Sequence, residues 1–262
     1  MHGGGAAANT ATWLASLGVD TTFVGRIGAD IAGSNFHDEL VAHGVKHLNP
    51  PIRNMKTGTV VVLVNQEGNR TMFPDAGANS GLDEQDLPSL AGFTAAFLSG
   101  YSLFNSASTE GVQRIIKALK SAMIPIYFDL ASVGTISAFG FEQAKRLIHN
   151  FEGIFLNEEE ALFITTKSKL EDQFEELLKI APLVIIKRGS NGAAGMTITT
   201  KIVEMPADEV DVLDTTGAGD AFAAGFLSTW LENQDLSKAI SSGIEVAGRC
   251  VATIGARPRV NP

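Results

Sequence analysis

Apolar positions along this chain follow two spacings that replace each other many times. Short continuous apolar runs predict buried strands, as in IPIYFD (124–129), GIFLN (153–157) and PLVIIKRG (182–189). Longer stretches carry apolar residues at every third or fourth position and predict helices, as in STEGVQRIIKALKSAM (108–123) and GAGDAFAAGFLSTWLE (217–232). Strands that alternate with helices are typical of βαβ units. We therefore expect an α/β fold with a mostly parallel central sheet.

One segment interrupts the alternation of strands and helices. TGTVVVLVN (57–65) and RTMF (70–73) are strand-like runs separated by QEGN, which predicts a β-hairpin. This hairpin, at about 55–75, is expected to stand off the main sheet as a flap. A helix is predicted over 34–44 with Gly44 at its C-terminus, and Ser108 or Thr109 is expected to cap the helix near 108.

Polar residues end three of the predicted strands. Asp129 ends the first, Asn157 the second and Lys187 the third. In parallel sheets, ligands bind beyond the carboxyl ends of the strands. We expect these three side chains to lie near one rim of the sheet.

Composition and charge narrow the function classes. The 262 residues suit one large domain, and no apolar run reaches the ~18 residues of a membrane span. The net charge is −9 without clustered Lys or Arg, which argues against nucleic acid as the main partner. No Lys or Arg precedes the first apolar stretch, so we expect no signal peptide and a cytoplasmic location. The single cysteine, Cys250, excludes an internal disulfide and is predicted to be a core residue, and the five histidines show no metal-ligand spacing.

The most informative segment is VLDTTGAGDAFAAGFLSTWL. Its Gly217-Ala218-Gly219 sequence stands at a predicted helix N-terminus, where unpaired N–H groups and the helix dipole favour an anion. Asp220 follows immediately, and local physics supports two roles for it equally. It could complement the helix dipole, or it could act as a general base beside a transferred phosphoryl group.

DTTGAGDAF closely resembles the C-terminal signature of the ribokinase-like (PfkB) carbohydrate kinase family. Further matches follow the family's order: the small-residue start with Asn9, GRIGADIAG (25–33), PDAGAN (74–79), NEEEA (157–161) and KRGSNGA (187–193). The resemblance covers nearly the whole chain. It implies a three-layer α/β/α fold of ribokinase type, with residues 1–262 as one kinase domain and the hairpin as its lid.

The N-terminal HGGG sequence fits three motifs: an esterase oxyanion loop, a dinucleotide fingerprint and a sugar-binding turn. The esterase motif needs a G-x-S-x-G elbow, which is absent. The dinucleotide motif needs an acidic residue at the end of the second strand, and TTFVG (21–25) ends without one. Gly4-Gly5-x-x-x-Asn9 as a sugar-contacting turn agrees with the resemblance.

The resemblance implies an ATP-dependent sugar kinase acting on a ribose-, fructose- or keto-sugar-acid-like acceptor. Two alternatives stay open: a nucleoside kinase of the same family, and a non-catalytic nucleotide- or sugar-binding protein. Asp220 would be the base, and Gly217, Ala218 and Gly219 would form the anion hole. The resemblance assigns ATP binding to Asn157, Lys187, Gly189, Gly192, Gly217, Gly219 and Gly255, and sugar binding to Gly4, Gly5, Asn9, Asn79 and Asp220.

The resemblance also implies cations. Glu160 would organise Mg²⁺ through water, and Asp214 with Thr216 would hold a monovalent cation, K⁺. Each position has a simpler interpretation. Asp214 would cap the following turn, Asn157 would be the N-cap of a solvated acidic helix that includes Glu160, and Lys187 would be a surface strand end.

The family pattern also includes a segment before the double glycine. That segment carries a central strand, an Asp that grips sugar hydroxyls, and further lid strands. We expect this chain to lack them, which would weaken sugar binding and a homodimer formed through the lid.

Overall fold

The computed structural model describes residues 3–64, 70–149 and 151–259. Its strands are β1 Thr22–Phe23, β2 Lys46–His47, β3 Thr57–Val64, β4 Arg70–Gly77, β5 Ala96–Ser99, β6 Ile126–Asp129, β7 Gly153–Asn157, β8 Leu183–Lys187, β9 Ala193–Thr197 and β10 Val203–Met205. Its helices are α1 Ala6–Ser16, α2 Ile31–Ala42, α3 Gly100–Leu103, α4 Thr109–Ser121, α5 Val133–Phe139, α6 Phe141–Leu147, α7 Glu158–Thr165, α8 Leu170–Leu177, α9 Ala218–Asn233 and α10 Leu236–Val251.

The central sheet has six strands in the order β10-β9-β8-β7-β6-β5. Strands β5 to β8 are parallel, while β9 and β10 are antiparallel. The expectation of a mostly parallel sheet is therefore confirmed. The sequence did not predict β9, because its AAGMT sequence lacks the β-branched and aromatic pattern of a strand.

Alternate residues of the central strands face two separate apolar layers. Phe128, Ile154 and Ile186 pack on one side, with α4 to α8. Phe155 and Ile185 pack on the other side, with α1, α9 and α10. Because both faces are covered, β7 and β8 read as continuous apolar runs. The result is the expected three-layer α/β/α arrangement.

The predicted hairpin forms from β3 and β4, in register from Thr57↔Gly77 to Val64↔Arg70. Within the described residues it pairs with no other strand. The QEGN connection (66–69) lies outside the described residues. The TTFVG strand is short and forms a separate parallel pair, β1 with β2.

Two helix predictions need correction. Helix α2 begins at Ile31 rather than 34, because Asp30 caps it by accepting a hydrogen bond from the Gly33 N–H at 2.8 Å. Ser108 occupies the N-cap position of α4, but its hydroxyl donates to the Ser102 carbonyl and makes no capping bond. No helix in the described ranges has both the length and the apolar character that a membrane span requires.

Candidate active site

The glycines before α9 let two backbone segments meet closely. Gly217, the N-cap residue, has φ 79°, and a Cβ there would lie 2.6 Å from the Ala256 Cβ. Ala218, Gly219 and Asp220 form the first turn. The first N–H groups of a helix have no acceptor within it, so this turn offers donors to an anion.

Asp220 is partly buried in that first turn. Its Oδ2 accepts a hydrogen bond from the Asn9 side-chain amide at 2.8 Å. Its other oxygen, Oδ1, accepts no hydrogen bond from the described residues. Burial raises the pKa of Asp220 to about 7, against the opposing effect of the Asn9 hydrogen bond. The carboxyl group can therefore take up or release a proton near neutral pH.

The three polar strand ends lie at one rim, as predicted. Lys187 Nζ lies 2.5 Å from Asp129 Oδ2, and its side chain is 16% exposed, so the surface-strand-end interpretation of Lys187 is wrong. Burial alone would lower the pKa of Lys187, but Asp129 and Glu160 outweigh burial and raise it. Nζ also lies 3.2 Å from where a Cβ on Gly219 would stand, so this cation borders the first turn of α9.

Asn157 and Glu160 form a reciprocal cap at the start of α7. The Glu160 N–H donates to Asn157 Oδ1 at 2.8 Å, and the Asn157 N–H and side-chain amide donate to the two Glu160 oxygens at 2.9 and 2.8 Å. The N-cap interpretation of Asn157 is confirmed. Glu160 is not solvated, however, because it is only 2% exposed and burial raises its pKa.

Asp214 caps the turn before the glycines and also ties two segments together. Its Oδ1 accepts from the Thr216 N–H at 2.9 Å and hydroxyl at 2.6 Å, and its Oδ2 accepts from the Gly255 N–H at 3.1 Å. Cys250 is fully buried, as predicted, and its thiol lies 3.4 Å from the Thr216 carbonyl oxygen. These contacts fix the loop that precedes α9.

The N-terminal glycines pack beside the Asp220 partner Asn9. Gly5 precedes α1 with φ 93°, a conformation that favours glycine. The Gly4 carbonyl accepts a hydrogen bond from Arg257 at 3.0 Å. Asn9 reaches α9 through its hydrogen bond to Asp220, and the sugar-turn role of Gly4, Gly5 and Asn9 stays a prediction.

Other predicted positions have local partners. Asn79 Oδ1 accepts a hydrogen bond from the Arg26 N–H at 2.8 Å. Asn79 therefore fixes the GRIG loop (25–28) and is not hydrogen-bonded to Asp220. Gly189 and Gly192 form the turn from β8 to β9, with φ 55° and 84°. A Cβ on Gly192 would lie 1.9 Å from the Met205 carbonyl oxygen, which explains that glycine without a ligand.

Sequence analysis missed three residues of this region. Arg257 contacts both Gly4 and Asn9, and Asp30 anchors Thr57 at the base of the hairpin. Tyr101 follows β5 at the same rim, and burial raises its pKa against a hydrogen bond with Ser132. A Gly-Tyr pair directly after a strand was the one available signal, because the rim rule applies to β5 as well.

The site has the donors that a hard cation prefers and an excess of negative charge. Asp129, Glu160 and Asp220 face the Lys187 cation. Burial is the main cause of the raised pKa values of Glu160 and Asp220, and the negative charge of Asp129 adds to both. Across the described residues no group of three or more His, Cys, Asp or Glu side chains is placed to hold a metal directly.

The chain matches the pfkB family of carbohydrate kinases over residues 1–262 and belongs to that family. A relative from Archaeoglobus fulgidus, described as an uncharacterized sugar kinase, is 28% identical over 93% of this chain and 96% of its own length. An ATP-dependent ribose-1-phosphate kinase from Halopiger xanaduensis is 29% identical over 98% of this chain and 81% of its own.

Among solved structures, a fructokinase from Vibrio cholerae with fructose, ADP and calcium ion bound is 25% identical, with a TM-score of 0.81. It covers 98% of this chain and 87% of its own length. The ribokinase-like fold prediction is confirmed. The protein is an ATP-dependent carbohydrate kinase of the PfkB family.

Proposed function

We propose that this chain transfers the γ-phosphoryl group of ATP to a hydroxyl of a small sugar, and that Asp220 removes the proton from that hydroxyl. The observation that carries the proposal is the Asp220 carboxylate. It stands in the first turn of α9, one oxygen accepts a hydrogen bond from Asn9, and the other accepts none from the described residues. A general base works best when its pKa lies near the working pH, because it must be ionised before the reaction and still accept a proton readily.

The same geometry supports roles for the other residues. The N–H groups of Gly217, Ala218 and Gly219 stabilise negative charge on the transferred group. Lys187, beside Gly219, adds a positive charge to the same place. The nucleotide lies along the loops that carry Asn157, Gly189, Gly192 and Gly255. The sugar lies between Asp220 and the turn at Gly4, Gly5 and Asn9, with Asn79 shaping the neighbouring GRIG loop.

Two cations complete the proposed site. Glu160 would hold Mg²⁺ through water, since Asn157 already occupies one acceptor position on each of its oxygens. Mg²⁺, when bound, neutralises charge on the phosphates. Asp214 and the Thr216 hydroxyl would hold K⁺ next to Gly255. Calcium and ADP in the Vibrio fructokinase structure support the use of a nucleotide and a metal.

The experiment is ADP release with Mg-ATP and K⁺ against a panel of acceptors. The panel contains ribose, ribose 1-phosphate, fructose, a keto-sugar acid and adenosine. The family model of carbohydrate kinases and the Halopiger and Vibrio proteins, named for ribose 1-phosphate and fructose, support a sugar acceptor. Turnover on one acceptor that disappears in Asp220→Asn, with ATP still raising the Tm, supports the proposal. Unchanged turnover in that variant refutes the role of Asp220.

We extend the proposal to the whole chain as one kinase domain with the hairpin as its lid. A lid excludes water from the phosphoryl group and so limits ATP hydrolysis. Replacing 58–76 with a short Gly-Ser linker should raise ADP release without an acceptor relative to release with one. A cytoplasmic location belongs to the same proposal, because the reaction needs ATP.

The hairpin also favours a homodimer. Val60, Val61, Val62, Leu63 and Phe73 are 43–59% exposed, and since neighbouring residues face opposite sides, both faces are apolar. An isolated two-stranded hairpin is marginal in water, and a second copy of the same ribbon would cover it. Sedimentation analysis of the wild-type protein and of Val61→Lys tests this. We expect a dimer that the substitution dissociates, and a wild-type monomer at all concentrations would overturn the idea.

A further inference from the structure

Arg257 is a buried cation that the sequence did not single out. It is 7% exposed, and all three nitrogens and one face of its guanidinium contact other residues. Nε donates to Asn9 Oδ1 at 3.3 Å, and NH2 donates to the Gly4 carbonyl at 3.0 Å. NH1 lies 3.1 Å from Glu39 Oε1 as an ion pair without hydrogen-bond geometry, and the group lies 5.1 Å from the centre of the Phe36 ring.

Arg257 fixes the direction of the Asn9 amide. A guanidinium can only donate hydrogen bonds, so the amide oxygen must face Arg257. The amide nitrogen therefore faces Asp220, where it donates to Oδ2 at 2.8 Å. An ionised carboxylate can only accept, so the series Arg257–Asn9–Asp220 has a single polarity. Without Arg257, only the negative charge of Asp220 disfavours an amide oxygen turned toward it, and a protonated Asp220 can donate to that oxygen.

We propose that Arg257 is a positioning residue for Asp220: it locks the Asn9 amide so that Asn9 donates to the Asp220 carboxylate and favours its ionised form. The inference rests on the proposed function of Asp220 as the base. Arg257 makes no contact with Asp220 itself and acts through Asn9. The ion pair of Arg257 with Glu39 also explains why residue 3 is a glycine, because a Cβ there would lie 2.2 Å from Glu39 Oε2 and 2.3 Å from Arg257 NH1.

Asn9 is one of several groups that influence this carboxylate. The titratable and charged groups around Asp220 are Asp129 on β6, Lys187 on β8, Tyr101 on α3 and Cys250 on α10. Asn9 provides the one hydrogen bond to Asp220 from the described residues. Loss of its orientation should therefore raise the pKa of Asp220 while the other four groups stay in place.

The test follows the Asp220 carboxyl directly, by ¹³C NMR of aspartate-labelled protein between pH 5 and 9. The signal is assigned by its absence in Asp220→Asn. We expect the titration midpoint to rise in Arg257→Gln and in Asn9→Ala by similar amounts, and no further in the double variant. For a rise of one pH unit, kcat/KM at pH 6 falls about ten-fold and recovers above pH 8.

Two variants separate positioning from stability. Arg257→Lys keeps the charge but lacks the planar fork, so its midpoint should lie between wild type and Arg257→Gln. If Arg257→Gln does not fold, Arg257→Lys and Asn9→Ala decide the matter. Arg249→Gln removes an exposed guanidinium that lies 5.7 Å from the Trp13 ring, and it should leave the midpoint unchanged.

An unchanged midpoint in the Arg257 variants would overturn the inference, and so would additive shifts in the double variant. The NMR titration needs no turnover. A shifted midpoint in a protein that phosphorylates no acceptor would refute the proposed function and leave the positioning role of Arg257 intact.

Discussion

The sheet rim and the hairpin differ in how their side chains are held in place. At the rim, charged side chains have hydrogen-bond or ion-pair partners on distant elements, as Asp129 with Lys187 and Asp220 with Asn9 show. The hairpin has exposed apolar residues on both faces, and its side-chain anchor lies at the base, where Thr57 binds Asp30.

The difference shows where each region obtains its order. The rim stands on a packed three-layer core, and its polar groups are hydrogen-bonded to one another. The hairpin has no core of its own, so its stability depends on what covers it. Chemistry that needs atomic precision suits the ordered rim, and the lid role proposed above suits the hairpin.

The largest effect is expected where the rim backbone is most crowded. Gly217 and Gly18 have similar positive φ angles, 79° and 85°, but only Gly217 has neighbours within 4 Å of an added Cβ. Gly18→Ala should cost about 1–2 kcal/mol of unfolding free energy from backbone strain alone. Gly217→Ala should cost more and lower turnover at least about 100-fold by displacing the anion hole.

Urea unfolding and ADP release measure both glycine variants. Similar turnover for the two would contradict the view that the close approach to Ala256 shapes the anion hole.

A second prediction concerns the single cation of the rim. Lys187→Met should lower kcat by about 10²-fold, since it removes positive charge beside the anion hole. The loss should be larger at pH 6 than at pH 8, because Lys187 lowers the pKa of Asp220 and its removal leaves more of that base protonated at pH 6. The measurement is kcat against pH.

Lys179→Met is the matched control for Lys187→Met. Lys179 pairs with Glu176 on the surface, and surface ion pairs contribute about 0–1 kcal/mol. Its kcat should equal that of wild type at every pH. Equal losses in the two lysine variants would show that Lys187 has no special place in the site.

The sequence predicted the elements that have a local signature. Asp129, Asn157 and Lys187 end apolar strands, and Asp220 follows a glycine-rich helix start, so their shared rim follows from the topology of parallel strands. Helices α5 and α6 were not foreseen, because each spans only seven residues and Gly140 with φ 104° separates them.

Arg257 illustrates what a local pattern cannot contain. Its partner Asn9 lies 248 residues away in the sequence, and Glu39 lies on another helix. The burial of Lys187 has the same origin, since it depends on Asp129 across the sheet. Roles created by long-range packing become visible only when the chain is folded.

The third prediction compares one carboxyl group of each region, Asp220 at the rim and Asp30 at the base of the hairpin. Burial raises the pKa of Asp220 from an ordinary 3.8 to about 7, so ionisation destabilises the fold increasingly as pH rises from about 4 to 7. Asp220→Asn removes that cost. Its Tm should exceed that of wild type at pH 7.5 and match it at pH 4, and the pKa difference sets an upper bound of about 4 kcal/mol.

Asp30 should behave in the opposite way. Hydrogen bonds from Thr57 and Gly33 lower its pKa below 3.8, so its ionised form stabilises the fold above that pH and the contribution is lost as pH falls through the lowered pKa. Asp30→Asn should lower the Tm at pH 7.5, and the difference should shrink below pH 4. Tm differences from wild type that have the same sign at pH 7.5 for both variants would contradict the contrast between the regions.

The smallest effect is expected on the hairpin face. Val61 is 59% exposed, so Val61→Thr in dilute protein should change the free energy of unfolding by less than about 0.5 kcal/mol. Val184→Thr, the same chemical change at a fully buried position of β8, should cost about 1–3 kcal/mol because it buries a hydroxyl without a prepared partner. Urea unfolding at low protein concentration measures both. A cost above about 1 kcal/mol for Val61→Thr in dilute protein would mean that the hairpin packs within one copy of the chain, because in a monomer only intramolecular contacts can be lost.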